Sequence, residues 1–438
     1  MRPDLAARAA EAVQLALDAG ADDAFAHASQ SRDVEFSYRD GALEKVKDAT
    51  SRSLSVELYV DGRYSSHQTT DLDPDRLRGF LAEAVAITRS LEEDPFRRIT
   101  PAELYAGRAD VALDLVDSAV AQLDRDRRLE WCAALDAATR THERVISATA
   151  GVYDGTVTSA AASSNGFTGT QESTYAWIGS NVTLKDRGER RASDGFYAGG
   201  THLGDLPGTK SIGETALERA LVRLDSEKGP TVKATMVVDA RAAASLIGRL
   251  IRPANAASVQ QGRSFWGSLI GKKAFSEKLS IVDDPLIVRG LGSRLYDREG
   301  ISAKVLPIVT EGRIQNLYVD TYYGRKAEMQ PTTGSSSNVR IATGAQSLAE
   351  LLSDAGKGVY VTSWLGGNAD GTTGDFSLGL RGHVIENGKI GRPVGEMNVT
   401  GNLRQLFLKL EALGNDPYPY ATVLAPSMVF GGVDFSGV

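Results

Sequence analysis

The sequence predicts an α+β protein with two domains. The first is an N-terminal α/β sandwich-like domain over residues 1–228, and the second is a C-terminal, mainly antiparallel β domain over residues 229–438, barrel-like and with few helices. The chain has 438 residues, which is long for a single hydrophobic core. Its first half alternates helical and strand-like apolar spacing, whereas its second half consists largely of short apolar runs divided by glycine.

Helical and strand-like patterns alternate along the first half. Apolar residues at four-residue spacing predict a helix over residues 4–19, ended by Gly20. Alternating stretches at 34–38 and 54–60, with Asp-Gly turns after them, predict strands of a half-exposed antiparallel sheet. Helical spacing returns over residues 74–91.

The rest of the first half shows the same alternation of helical and strand-like apolar spacing. The predicted elements are a helix over about 115–137, strands between 144 and 184 around a turn at 164–166, a long loop over 188–210 and a helix over 212–224. Residues 226–230 are the best candidate for a linker between the two domains.

The second half opens with a buried-type strand at 235–238, after which Asp239 is well placed to cap a helix. An apolar stripe predicts that helix, which stops before Pro253. One further helix is predicted at about 402–413, ahead of an irregular C-terminus. The apolar runs that predict short strands of an antiparallel sheet or barrel are residues 279–282, 286–288, 304–309, 314–319, 359–365, 376–380 and 382–386.

Composition narrows the classes of partner. The formal net charge of -7 offers no basic footprint for nucleic acid. No apolar stretch approaches the roughly 20 residues needed to cross a bilayer, so we expect no membrane association. The one cysteine, Cys132, lies in a run with helical spacing and is predicted to be a buried small hydrophobe. A single cysteine forms no internal disulfide, which fits a cytoplasmic protein.

A search for catalytic motifs finds none. The five histidines include no pair at helical zinc-ligand spacing, and the four residues after His142-Glu143 include no second histidine. Neither a phosphate-binding loop nor a Gly-x-Ser-x-Gly elbow occurs. Adjacent carboxylates at Asp283 and Asp284 point to opposite faces of a strand, which favours a structural role.

Glycine-framed segments in the second half occur in a characteristic order. They are residues 262–271, 281–285, 297–300, 331–335, 373–377, 385–390 and 413–416. Together they resemble the TldD/TldE family, also called PmbA-like. The first half agrees more loosely through residues 40–44 and 62–65, so the resemblance covers nearly the whole chain.

The resemblance implies a heterodimeric metallopeptidase that trims or degrades small unfolded peptides. Its catalytic subunit carries zinc on a His-Glu-x-x-x-His helix and a later cysteine. In this chain the three motif positions fall on Ile247, Gly248 and Arg252, none of which offers a lone pair to a metal. The later cysteine is expected near residues 418–424, where the sequence has none.

By this resemblance the chain is a non-catalytic TldE-like subunit with no cofactor of its own. We expect zinc in a TldD-like partner, a peptide as the shared substrate, and a homodimer as one state of the isolated chain. Two alternatives stay open. One is a stand-alone homodimeric protein that binds peptides as a scaffold, and the other is an enzyme of another class that reuses the fold.

One glycine-framed loop is the candidate site. We hypothesise that its residues line the cavity shared with the partner, or the contact between the two subunits; they are Asn368, Thr373, Gly374, Asp375 and Phe376. The alternative is that the glycines only fit tight turns.

Overall fold

The computed structural model describes residues 4–437. Its helices are α1 (Leu5–Asp18), α2 (Pro74–Thr88), α3 (Ser118–Ala121), α4 (Arg125–Thr139), α5 (Thr209–Leu221), α6 (Ala240–Ile251), α7 (Ala256–Gln260), α8 (Thr321–Ala327), α9 (Leu348–Ala355) and α10 (Leu403–Leu408). The strands of the first half are β1 (Asp23–Arg39), β2 (Ala42–Val60), β3 (Arg63–Thr69), β4 (Val145–Ser163), β5 (Thr168–Lys185) and β6 (Arg191–Gly200). Those that follow are β7 (Glu227–Lys228), β8 (Val232–Val238), β9 (Ile281–Asp283), β10 (Leu306–Thr310), β11 (Arg313–Ile314), β12 (Val339–Ile341), β13 (Gly358–Ala369), β14 (Asp375–Glu386), β15 (Lys389–Asn402), β16 (Leu410–Leu413), β17 (Val423–Leu424) and β18 (Met428–Gly437).

The six strands of the first half form one antiparallel sheet in the order β3-β2-β1-β4-β5-β6, which we call the N-terminal sheet. Alternate residues of β1 and β4 face a layer of helices, with α1 and α2 over one end and α4 and α5 over the other. Cys132 of α4 is fully buried in this layer, as predicted. Burial raises the pKa of its thiol to about 12, so it is a core residue and not a reactive one.

Five strands of the second half close a ring in the order β18-β8-β13-β14-β15, because β15 pairs back onto β18. This ring is called the barrel below. Only its β8–β13 pairing is parallel within the ring. A smaller sheet, β11-β10-β9-β12-β17, packs through the same large apolar core. The predicted α+β class, with a barrel-like second half and few helices, is confirmed.

Several element predictions were wrong. The loop expected over 188–210 contains β6, and the helix expected over 402–413 ends at Leu408 and is followed by β16. The two runs at 376–386 form one strand, β14. The irregular C-terminus contains β18, a barrel strand. The candidate linker contains β7, which pairs with β15, and the division at residue 228 stays a prediction.

Helix α8 joins the second half to the segment before α3. Its Arg325 donates to the carbonyl oxygens of Phe96, Arg98 and Ile99 at 2.9–3.1 Å. The Arg97 guanidinium lies 3.6 Å from the ring centre of Tyr322. Across residues 4–437, none of the helices is both long enough and apolar enough to cross a membrane.

A half-buried carboxyl at this junction predicts a pH dependence of stability. Burial raises the pKa of Glu299 from its ordinary value of 4.5 to about 7, although its carboxylate accepts hydrogen bonds from Thr321. Because the folded protein binds this proton more tightly, the contribution is complete below about pH 4.5 and is lost as the pH rises towards about 7. We expect Glu299→Gln to flatten that fall in the free energy of unfolding, measured by urea denaturation at about pH 5 and about pH 8.

The control is Glu350→Gln at an exposed helix start. Hydrogen bonds from Ser347 lower the pKa of Glu350, so its titration lies below this window. Parallel pH profiles for wild type and Glu299→Gln would contradict the prediction.

Candidate functional site

Helix α6 contains the positions to which the resemblance assigns the first residues of the zinc motif. Asp239 begins it as predicted, because its carboxylate accepts a hydrogen bond from the Arg241 amide at 3.0 Å. Leu246, Ile247 and Leu250 are fully buried against the barrel core. The helix is therefore held in place by an apolar face, and its C-terminal end reaches the surface at Arg252.

The three positions of the zinc motif do not fit a metal. Ile247 is 0% exposed in the core, Gly248 has no side chain, and Arg252 is an exposed cation. Within the described range of 4–437, no group of three or more His, Cys, Asp or Glu side chains is arranged to hold a metal ion. At the expected position of the cysteine ligand, Tyr418 donates to the Tyr197 carbonyl at 2.9 Å and fastens this segment to β6.

A cavity of about 490 Å³ lies at the C-terminal end of α6 and the far end of β13. We call it the helix-end cavity. Its charged lining residues are all cations: Arg249, Arg252 and Arg263. Among the residues that the structure describes, neither Arg252 nor Arg263 has a carboxylate within ion-pair distance. The cavity is therefore electropositive and suits an anionic group.

The wall of the helix-end cavity is tied together by short hydrogen bonds. Arg249 donates to the Ser245 carbonyl at 3.0 Å, and burial lowers the pKa of its guanidinium. Ser264 donates to the Pro253 carbonyl at 2.6 Å, and the Phe265 amide donates to the Gly371 carbonyl at 3.0 Å. The Phe265 bond fixes the segment after α6 against the β13–β14 turn, while the other two bonds lie within α6 and within that segment.

Strand β13 presents a free edge beside this cavity. β8 pairs with β13 only over residues 358–361, after which the chain turns into α6. In the part of the chain described, no strand pairs with residues 362–369 on that side, while β14 covers the other side. Residues 367–369 also line the cavity. An extended segment could add main-chain hydrogen bonds along such an edge.

The structure separates the five candidate loop residues. Asn368 lines the helix-end cavity, whereas the other four lie beyond its lining. Gly374 adopts φ +84° and its amide donates to the Asp370 carbonyl at 2.8 Å, so it serves a tight turn. The Asp375 carboxylate accepts from Asn402 at 2.9 Å.

The remaining two candidates differ in exposure, because Thr373 is exposed and Phe376 is buried. Thr373 accepts a hydrogen bond from the Asp375 amide at 3.1 Å within the turn. Phe376 is 6% exposed and belongs to the barrel core. Sequence reasoning missed Arg249 and Arg263. The available signal was their sequence position, three residues before Arg252 and directly after Gly262.

Comparison with known proteins identifies the family. Models of PmbA/TldA metallopeptidases match consecutive parts of the chain: domain 1 over residues 23–88, the central domain over 119–224 and the C-terminal domain over 231–437. The chain belongs to the TldD/TldE (PmbA-like) family. The resemblance inferred from the glycine-framed segments is thereby confirmed.

Individual members of the TldD/TldE family align over nearly the whole chain. The metalloprotease PmbA of Escherichia coli O157:H7 is 28% identical over 434 residues, 96% of each chain. A crystal structure from Bacteroides thetaiotaomicron, described as a candidate modulator of DNA gyrase, is 36% identical with a TM-score of 0.96 and full coverage of both chains. TldE from Thermococcus kodakarensis has a TM-score of 0.86 at 16% identity, covering 98% of this chain and 100% of its own, and shows the shared fold.

Proposed function

We propose that this chain is a non-catalytic, TldE-like subunit of a heterodimeric zinc metallopeptidase that processes small unfolded peptides. The observation that carries the proposal is the occupancy of the motif positions by Ile247, Gly248 and Arg252, which cannot ligate zinc. Zinc then belongs to a TldD-like partner, and this chain holds no cofactor. The proposed location is the cytoplasm, consistent with a single cysteine buried in a core.

The free edge of β13 and the helix-end cavity support a peptide-binding role. An extended peptide on this edge would be bound through its backbone, independently of its sequence. The guanidinium groups of Arg252 and Arg263 would attract a carboxylate of such a peptide. An unfolded substrate can be bound through its backbone in this way because its backbone hydrogen-bonding groups are free.

Co-expression with a homologue that carries the His-Glu-x-x-x-His helix tests the proposal. We expect the two chains to copurify as a heterodimer, with zinc bound to the partner alone and peptide cleavage by the pair exceeding that of either chain. Size-exclusion chromatography with light scattering, metal analysis and a fluorogenic peptide assay give the three readouts. Failure to pair, or equal cleavage by the partner alone, would refute the proposal. Chelator-resistant cleavage by this chain alone would point to another enzyme class.

The same assay tests the candidate loop. We expect Asn368→Ala and Asp375→Ala to slow peptide turnover by the pair by up to about tenfold or to weaken assembly, since the loss of a single hydrogen bond costs up to about that factor. Asp354→Ala is the matched control, because Asp354 is an exposed acid on α9 that accepts a hydrogen bond only from Gln346 among the contacts described. Wild-type assembly and turnover for both loop variants would leave the loop without a role in function.

A further inference from the structure

A second cavity lies between the N-terminal sheet and the barrel. It has a volume of about 330 Å³, and its walls come from β6 and α5 on one side and from β13, β14 and β15 on the other. We call it the sheet–barrel cavity. Its lining shares no residue with that of the helix-end cavity, although Thr362 and Leu365 also belong to the free edge of β13.

Cations outnumber anions in this lining. Its arginines are Arg190, Arg191, Arg219, Arg223 and Arg381. Its carboxylates are Asp186, Asp194 and Glu396. Five arginines against three carboxylates leave an excess of two positive charges around a small volume. Burial lowers the pKa of His383 in the same wall, so that imidazole adds no charge near neutral pH.

The deepest arginines compete for one carboxylate. Asp194 accepts a hydrogen bond from Arg223 Nε at 2.5 Å, and Arg219 Nη2 lies 3.7 Å from the same carboxylate. Burial lowers the pKa of Arg223, and the neighbouring guanidinium groups of Arg381 and Arg219 lower it further. Asp194 alone therefore does not neutralise this group of guanidinium ions.

Two nitrogens of these arginines lack hydrogen-bond acceptors. Across residues 4–437, Arg219 Nε and Arg223 Nη1 are buried without a hydrogen-bond partner. A buried unsatisfied donor costs about 1–3 kcal/mol. Water could accept these hydrogen bonds, but it could not balance the excess positive charge. An anion would do both.

We propose that the sheet–barrel cavity binds a small dianionic molecule, through a phosphate group or a pair of carboxylates held by Arg223, Arg219 and Arg381. A cavity of this volume is at the small end of those that hold organic ligands. Apolar side chains of Val222, Leu365 and the Pro393–Val394 pair provide contacts for a short carbon skeleton. A bound anion would also connect the N-terminal sheet to the barrel.

Titration of the isolated full-length chain tests this inference without any partner subunit. Inorganic phosphate and succinate are the probes, in calorimetry and thermal unfolding at constant ionic strength, with chloride as the reference salt. We expect saturable binding of at least one probe with a rise in Tm. Binding of phosphate alone identifies a phosphate ligand, and binding of succinate alone identifies a dicarboxylate. Absence of saturable binding by both would overturn the inference.

Two arginine variants locate the binding site. Arg381 is exposed, and the one hydrogen bond that its guanidinium makes among the described contacts is a 3.5 Å bond to the Ser193 carbonyl, so we expect Arg381→Gln to fold normally. The Arg381→Gln variant should raise the Kd of the bound probe about tenfold, because it loses one charge-assisted hydrogen bond. Arg252→Gln, in the helix-end cavity, should leave that Kd unchanged. A raised Kd for Arg252→Gln with an unchanged Kd for Arg381→Gln would place the anion in the helix-end cavity and overturn the assignment.

Discussion

Replacing Arg128 by alanine is expected to lower the free energy of unfolding by about 3–5 kcal/mol. The Arg128 side chain joins α4 to β4 through two hydrogen bonds with Asp154, at 2.6 and 2.7 Å. The two side chains are only 4% and 2% exposed. Removal of the guanidinium leaves a buried carboxylate without its counter-ion, and it also removes a 2.7 Å bond to the Leu123 carbonyl. The shift of the urea midpoint measures the loss.

The neighbouring residue supplies a matched control. Arg127 pairs with Glu130 at 2.7 Å, but both side chains are more than half exposed. We therefore expect Arg127→Ala to change stability by less than about 1 kcal/mol. Replacing both buried partners, as Arg128→Met with Asp154→Leu, should cost less than Arg128→Ala, because no unpaired charge remains. Equal losses for Arg127→Ala and Arg128→Ala would contradict the prediction.

Replacing Trp266 by alanine is expected to cost about 3–5 kcal/mol as well. The indole is fully buried in the core of the second half, with its ring 5.5 Å from that of Phe275. Its Nε1 donates to the Leu250 carbonyl at 2.9 Å, in the last turn of α6. The variant therefore creates a cavity. It also leaves the Leu250 carbonyl without its hydrogen-bond donor, at the end of the helix that carries Arg249 and Arg252. Circular dichroism during urea denaturation measures the loss without relying on tryptophan emission.

The conservative variant Trp266→Phe separates these two effects. It retains most of the ring but leaves the Leu250 carbonyl without its donor, so we expect a loss of about 1–3 kcal/mol. A loss for Trp266→Phe as large as that for Trp266→Ala would show that the hydrogen bond, and not the volume, governs the stability of this helix end. A negligible loss for both variants would contradict the packing argument.

The wrong sequence predictions have physical explanations. Residues 188–210 are predicted to form a loop because they are rich in Gly, Arg and Asp. Within β6, however, Gly199 gives room to the Trp177 ring of β5, and Gly179 of β5 gives room to Tyr197 of β6. The C-terminal strand β18 contains Gly431-Gly432, where a register shift between Phe430 and Val433 accommodates a positive φ. In both cases a glycine that usually marks a turn serves a close approach or a bulge within a sheet.

The sequence by itself determined the fold class, the course of α6 and its cap at Asp239, the burial of Cys132 and the family. These features depend on local periodicity, capping chemistry and an ordered set of glycine segments, all of which are visible along the chain. Only the tertiary structure decided that Phe376 is a core residue, that Asn368 shares a cavity with Arg263, and that Arg223 and Arg381 face one small volume. Cavities and charge clusters join residues far apart in sequence, and the placement of α5, α6 and β6 beside the barrel strands brings them together.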